Sequence, residues 1–246
     1  MINEFLQAIQ FLTRLPLGKH ADYANGLEGT AVSWYAPTGL IIGLLLVLVG
    51  WICSLLLPPF LVGAIVLTVW VATTGALHLD GLGDCGDALM GGHNTERMLE
   101  IMKDTSCGIG AIVSVALVLL LKFSALTLLI GQGDWLLLIF APVLARISLS
   151  LVIRYVPYRR PEGLGSSLQA NLNFNGILVA SLLMSLLLSL ISFQAFFYGV
   201  IAGGIAFAII YWLLIKPIRG ATGDVYGALV EVTETLVLVG LVASLG

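Results

Sequence analysis

The stretch FLVGAIVLTVWVATTGALHLDGLGDCGDALMGG, residues 60–92, passes within a few positions from an apolar run to a glycine-rich segment holding three aspartates. Phe60 to Leu77 carries no charged residue and approaches the roughly 20 residues that a helix needs to cross a hydrocarbon core about 30 Å thick. The first half of the stretch therefore reads as a helix in a bilayer. The second half reads as the polar face where that helix emerges.

Six further runs have the same character: Trp34 to Leu57, Gly108 to Ile130, Trp135 to Tyr155, Ile177 to Phe193, Phe196 to Ile215 and Tyr226 to Leu245. Pro58 and Pro59 break the first from the run at Phe60, Gly131 to Asp134 separates the next pair, and Ser192 to Gln194 barely divides the two that follow. Of the 246 residues 59% are hydrophobic and only 10% charged, a balance that water would not tolerate in a folded chain. The expectation is an all-α polytopic transmembrane bundle of about seven spans, forming one integral membrane domain over residues 1–246. Before it, Met1 to Leu15 gathers Ile2, Phe5, Leu6, Ile9 and Leu12 near one helical face, as an amphipathic interfacial helix would, and Pro16 and Gly18 end it.

The basic residues orient the bundle. Arg14 and Lys19 precede the first span, Arg97 and Lys103 follow the second, Arg154, Arg159 and Arg160 follow the fourth, and Lys216 and Arg219 follow the sixth. Seven spans bring all of them to one side, which is expected to be the cytoplasmic side of the cell inner membrane, with the N-terminus there. A net charge of −3 and the lack of a basic stripe exclude nucleic acid as a partner. Cys53, Cys85 and Cys107 show no CxxC spacing and read as structural thiols. No inverted repeat of the transporter kind is visible.

Asp80, Asp84 and Asp87 stand at i, i+4 and i+7, which on a helix would share a face. The segment reads as a loop in which Gly81, Gly83 and Gly86 weaken regular helix and let backbone approach a metal or phosphate. Like charges so placed call for a cation, and hard oxygen ligands suit magnesium, calcium or manganese. Asn94 or Thr95 can cap a short helix that delivers Asp104 to the same metal-binding group. At the other end of the chain, Asp224 and Glu231 lie seven residues apart with Gly227 between them. Glu231 and Glu234 would sit inside the last span, where carboxylates are expensive unless they face a polar cavity. Arg146, inside the fourth span, is expected to point toward carboxylates or phosphate. Lys122 reads as a snorkelling or structural residue. Arg14, Arg97, Lys103 and His78 complete the candidate substrate-binding groups, with His93 a further possible proton carrier.

FLTRLP at 11–16, HLDGLGDCGDA at 78–88, RMLEIMKDTSCGIGA at 97–111, EGLG at 162–165 and GATGDVYGALVEVTE at 220–234 together resemble the adenosylcobinamide-GDP ribazoletransferase, or cobalamin synthase, family. The resemblance implies a magnesium-dependent enzyme that joins adenosylcobinamide-GDP to α-ribazole or its 5′-phosphate and releases GMP. It implies metal held by Asp80, Asp84, Asp87 and Asp104, catalysis involving Asp84, and Asp224 or Glu231 as acceptor of the ribazole 5′-hydroxyl proton. The expected partners are those two small molecules and the lipid bilayer, with a homo-oligomer left open. A CDP-alcohol phosphotransferase runs similar chemistry but has a different aspartate spacing with an Ala-Arg pair that is missing here. The rival readings are a membrane prenyltransferase, which would show two similar Asp motifs, and a cation-coupled transporter, which would hold its acids near the midplane.

Overall fold

A computed structural model describes residues 2–17, 28–160 and 164–245. Eleven helices carry the chain among the described residues: α1 (Ile2–Leu12), α2 (Glu28–Ser54), α3 (Pro59–Thr74), α4 (Leu77–Gly91), α5 (Thr95–Ile101), α6 (Ile109–Gln132), α7 (Trp135–Tyr155), α8 (Leu164–Gln169), α9 (Phe174–Ile191), α10 (Phe193–Ile218) and α11 (Gly223–Ala243). No strand forms among these residues beyond a single parallel bridge between Tyr158 and Ala221.

Six of the helices, α2, α6, α7, α9, α10 and α11, are long and apolar enough to cross a membrane, and the bent pair α3 and α4 makes a seventh where the two form one broken span rather than a re-entrant loop. This is where the structure departs most from the sequence expectation. The 16 residues of α3 rise only about 24 Å, and then Gly75 at φ 62° and Ala76 at φ 56° turn the chain through 89° into α4. The acidic segment is thus a helix rather than a loop. Its glycines serve helix packing: a Cβ on Gly81 would come 2.8 Å from the Asp224 carbonyl oxygen, and one on Gly86 2.6 Å from that of Gly110. α4 therefore lies against the N-terminal ends of α11 and α6.

Ser192 alone separates α9 from α10, and its hydroxyl caps α10 by accepting from the Ala195 amide at 3.2 Å. α7 and α11 are the most enclosed of the long helices, and α11 packs against α10, α4, α7 and α6. One buried cluster, including Leu12, Tyr35, Cys85, Ile153 and Val225, underlies α4. A second, including Ile42, Val66, Leu126, Phe140 and Leu238, fills the other end of the bundle. Leu182, Leu186 and Leu190 on α9 and Leu117, Leu120 and Leu121 on α6 face outward, as lipid-facing side chains do when lipid tails are the solvent. The buried face of α1 is Gln7, Ala8, Ile9 and Leu12, while Ile2 projects outward. Phe5 of α1 meets Trp34 edge to face at 5.2 Å between ring centroids.

Candidate active site

Each carboxylate of the site is set by a helix end or a helix crossing. α4 presents Asp80, exposed, and Asp84, half-buried, one turn apart, and the α4–α11 crossing at Gly81 carries Asp224 up beside them. Asp224 occupies the first turn of α11, whose N-cap is Thr222: its hydroxyl accepts from the Val225 amide at 3.3 Å and lies 3.2 Å from the Asp224 carboxylate. Across from it, Ala221 and the 157–159 segment exchange backbone hydrogen bonds, Ala221 donating to the Pro157 carbonyl at 2.9 Å and Arg159 donating to Ala221 at 2.8 Å. That clamp delivers Arg160, whose Nη2 lies 2.9 Å from Asp224 and donates to the Met102 carbonyl at 3.2 Å. Three acids face one guanidinium. The Asp224 and Asp80 carboxylates are like charges acting on half-buried Asp84, and Arg160 is the opposing one.

Asp80 stands on the wall between two cavities. One, of about 260 Å³, includes Phe11, His78, Tyr158, Arg160, Asp224 and Tyr226 in its lining. The other, of about 580 Å³, is bordered by Asp84 and by Thr105, Ser106 and Cys107 at the approach to α6.

Asp87 shares the α4 face but has a different partner. Its two carboxylate oxygens accept from the backbone amides of Gly108, at 2.7 Å, and Ala111, at 2.9 Å, so it neutralises the open N-terminus of α6 as an acidic cap does. Asp104 is exposed, past the end of α5, and hydrogen bonds from Ser106 hold its carboxyl below the usual range. Asn94 caps α5, accepting from the Arg97 amide at 2.8 Å. Among the described residues no group of three or more His, Cys, Asp or Glu side chains is arranged to hold a metal ion.

The structure places Glu231 and Arg146 in a closed ionic group inside the bundle. Lys122 of α6 reaches Glu231 at 2.7 Å and also pairs with Glu234, while Arg146 of α7 pairs with Glu234. All four side chains are at most 5% exposed, and the Lys122 ammonium also lies 4.6 Å from the Trp70 ring centroid. Two positive and two negative charges neutralise each other there, which answers the cost of intramembrane carboxylates without a polar cavity. Lys122 is therefore structural rather than snorkelling. Of the other candidate cations, Arg14 is exposed and lies against Gly75, Arg97 pairs with Glu100 at the surface, and Lys103 is exposed. Lys19 and the first residues of the EGLG motif lie outside the described residues. In sequence Arg160 stands out only as one of the basic residues that orient the bundle, and Tyr158 and Tyr226 do not stand out. The sole local signal for them was the position of YRR one residue before EGLG and of Tyr226 within TGDVYGA.

Comparison with known proteins adds a family. A sequence model described as cobalamin-5-phosphate synthase matches residues 4–242. Curated relatives named adenosylcobinamide-GDP ribazoletransferase include those of Stutzerimonas stutzeri, 40% identical, and Pseudomonas aeruginosa, 42% identical, each alignment covering 98% of both chains. The Acinetobacter baumannii relative of the same name is 39% identical over 99% of this chain and 98% of its own. No solved structure matches.

Proposed function

The chain belongs to the cobalamin-5-phosphate synthase family, and from that premise we propose that it is a membrane-embedded transferase joining adenosylcobinamide-GDP to α-ribazole, or its 5′-phosphate, with release of GMP. The observation that carries this reading is the convergence of Asp80, Asp84 and Asp224 from two crossing helices opposite a single Arg160.

In this reading a secondary ribose hydroxyl of the ribazole, free in both acceptors because the 5′-phosphate occupies only the 5′ position, attacks the corrinoid-linked phosphorus, the bond from that phosphorus to the bridging oxygen breaks, and GMP departs with the bridging oxygen. Asp224 accepts the hydroxyl proton, and Arg160 holds the Asp224 carboxylate in place. Asp224 suits that role better than Glu231, which Lys122 holds inside the bundle. Magnesium fits the remaining donor set. Asp80 and Asp84 offer only hard oxygens, and this ion ordinarily takes one or two carboxylates together with waters and substrate phosphates rather than a closed protein cage. Asp80 and Asp84 would hold it, and its chemistry when bound is neutralisation of the diphosphate charge as GMP leaves. Asp87 acts by fixing α6 against α4. We place the site and the N-terminus on the cytoplasmic side of the inner membrane, on the strength of the basic residues at that end.

Purified protein in nanodiscs with adenosylcobinamide-GDP, α-ribazole and magnesium is expected to release GMP and form the corrinoid product. A folded preparation that forms neither overturns the reading.

A further inference from the structure

The cavity of about 260 Å³ has a division of character that matches one substrate and not the other. Its apolar wall comes from Phe11, Leu149, Ile153 and Leu168, with the Tyr158 ring alongside. Tyr158 and Tyr226 lie 5.9 Å apart at 33°, so the two rings border one slot. At the other end His78, Arg160 and Tyr226 line the cavity, and His78 Nδ1 and Arg160 Nε are buried without a hydrogen-bond partner. The neighbour of Tyr226, Gln169, is engaged with the Ile153 and Val156 carbonyls and the Tyr158 amide. Buried polar groups left unpaired are costly, and the residues that carry them here border a space.

We propose that this cavity is the acceptor-nucleoside pocket, which takes the flat benzimidazole base of α-ribazole between the aromatic and aliphatic side chains and its ribose hydroxyls against His78, Arg160 and Tyr226. The inference rests on the transferase reading above and deepens it by assigning the two substrates to separate cavities. Two features select the acceptor over the guanine of the donor. The base-binding wall is apolar, suiting a benzimidazole whose outer edge carries no hydrogen-bonding group, whereas guanine would leave its edge donors and acceptors unpaired there. The volume holds one nucleoside but no macrocycle, and Asp224 lines the same cavity, where the attacking ribose hydroxyl would need its proton acceptor. The donor's diphosphate is then left to the larger cavity on the far side of Asp80, bordered by Asp84.

The test uses full-length protein in nanodiscs, with α-ribazole binding measured by calorimetry and both Michaelis constants measured in turnover. Tyr158→Ala is expected to weaken α-ribazole binding and raise its KM by about tenfold or more, with the KM for adenosylcobinamide-GDP changed by less than about twofold. Tyr158→Phe, which keeps the ring, is expected to restore both. Leu168→Trp, filling the cavity from its aliphatic side, should repeat the Tyr158→Ala pattern, and thermal melts establish that each variant is folded. A raised KM for adenosylcobinamide-GDP with that for α-ribazole unchanged overturns the assignment, as does GMP competing with α-ribazole for binding. Absence of product in the wild type would instead overturn the transferase reading, and ring-dependent binding of α-ribazole would still support the pocket.

Discussion

Asp84 and Asp87 are three residues apart on one helix, yet their surroundings give them different work. Asp84 faces Asp80 and Asp224 at the rim of the larger cavity, whereas both oxygens of Asp87 are taken by the amides that open α6. Asp84→Asn is expected to abolish GMP release while leaving expression and thermal stability near wild type, since it removes one member of a mutually repelling cluster. Asp87→Ala should do the reverse in kind: loss of a helix cap lowers stability by about 0.5–2 kcal/mol, and turnover falls in proportion to the folded fraction. Parallel melts and GMP assays separate the two, and wild-type turnover in Asp84→Asn would remove it from the site. Period alone put the three aspartates on one face, and that much was legible in the sequence. Which of them points at an exposed helix terminus was not, because the terminus belongs to a segment 21 residues away.

At the scale of the element, α4 shows why a glycine-rich acidic stretch looks like a loop and folds as a helix. Intrinsic propensity counts each glycine against helix, but Gly81 and Gly86 sit where α11 and α6 cross, and the contact they permit outweighs the local cost. Gly86→Val is therefore expected to be poorly tolerated: the new Cβ would stand 2.6 Å from the Gly110 carbonyl oxygen, and overpacking of this kind costs about 1–3 kcal/mol or more. Gly204→Ala in α10 supplies the contrast. Nothing lies within 4 Å of its added Cβ, so the melting temperature should hold or rise. The long spans were legible because a run of 18 or more apolar residues has few other solutions in water or lipid. The bend at Gly75 and Ala76 was not, because the apolar run continues through it to Leu77.

At the scale of the whole molecule, the ionic group of Lys122, Glu231, Arg146 and Glu234 ties α6, α7 and α11 together beneath the carboxylate face. Lys122→Met leaves two buried carboxylates sharing one guanidinium, and removal of one partner from such a group costs about 3–5 kcal/mol. Adding Glu231→Gln restores charge balance, so the double variant should melt closer to wild type than Lys122→Met alone; additive losses would remove the coupling. The same bundle has two ends that its thiols distinguish. Cys107 is exposed at the start of α6, where it borders the larger cavity, Cys53 lies near the end of α2 at the opposite side, and Cys85 is buried. On the proposed orientation, which puts the carboxylate end in the cytoplasm, a membrane-impermeant maleimide should modify Cys107 in inverted vesicles and leave it untouched in right-side-out vesicles. A Cys53→Ala background assigns the signal to Cys107, because the remaining cysteine is inaccessible. Labelling of Cys107 from the outside would turn the bundle over and place the nucleotide chemistry on the wrong side of the membrane for a cytoplasmic supply of substrate.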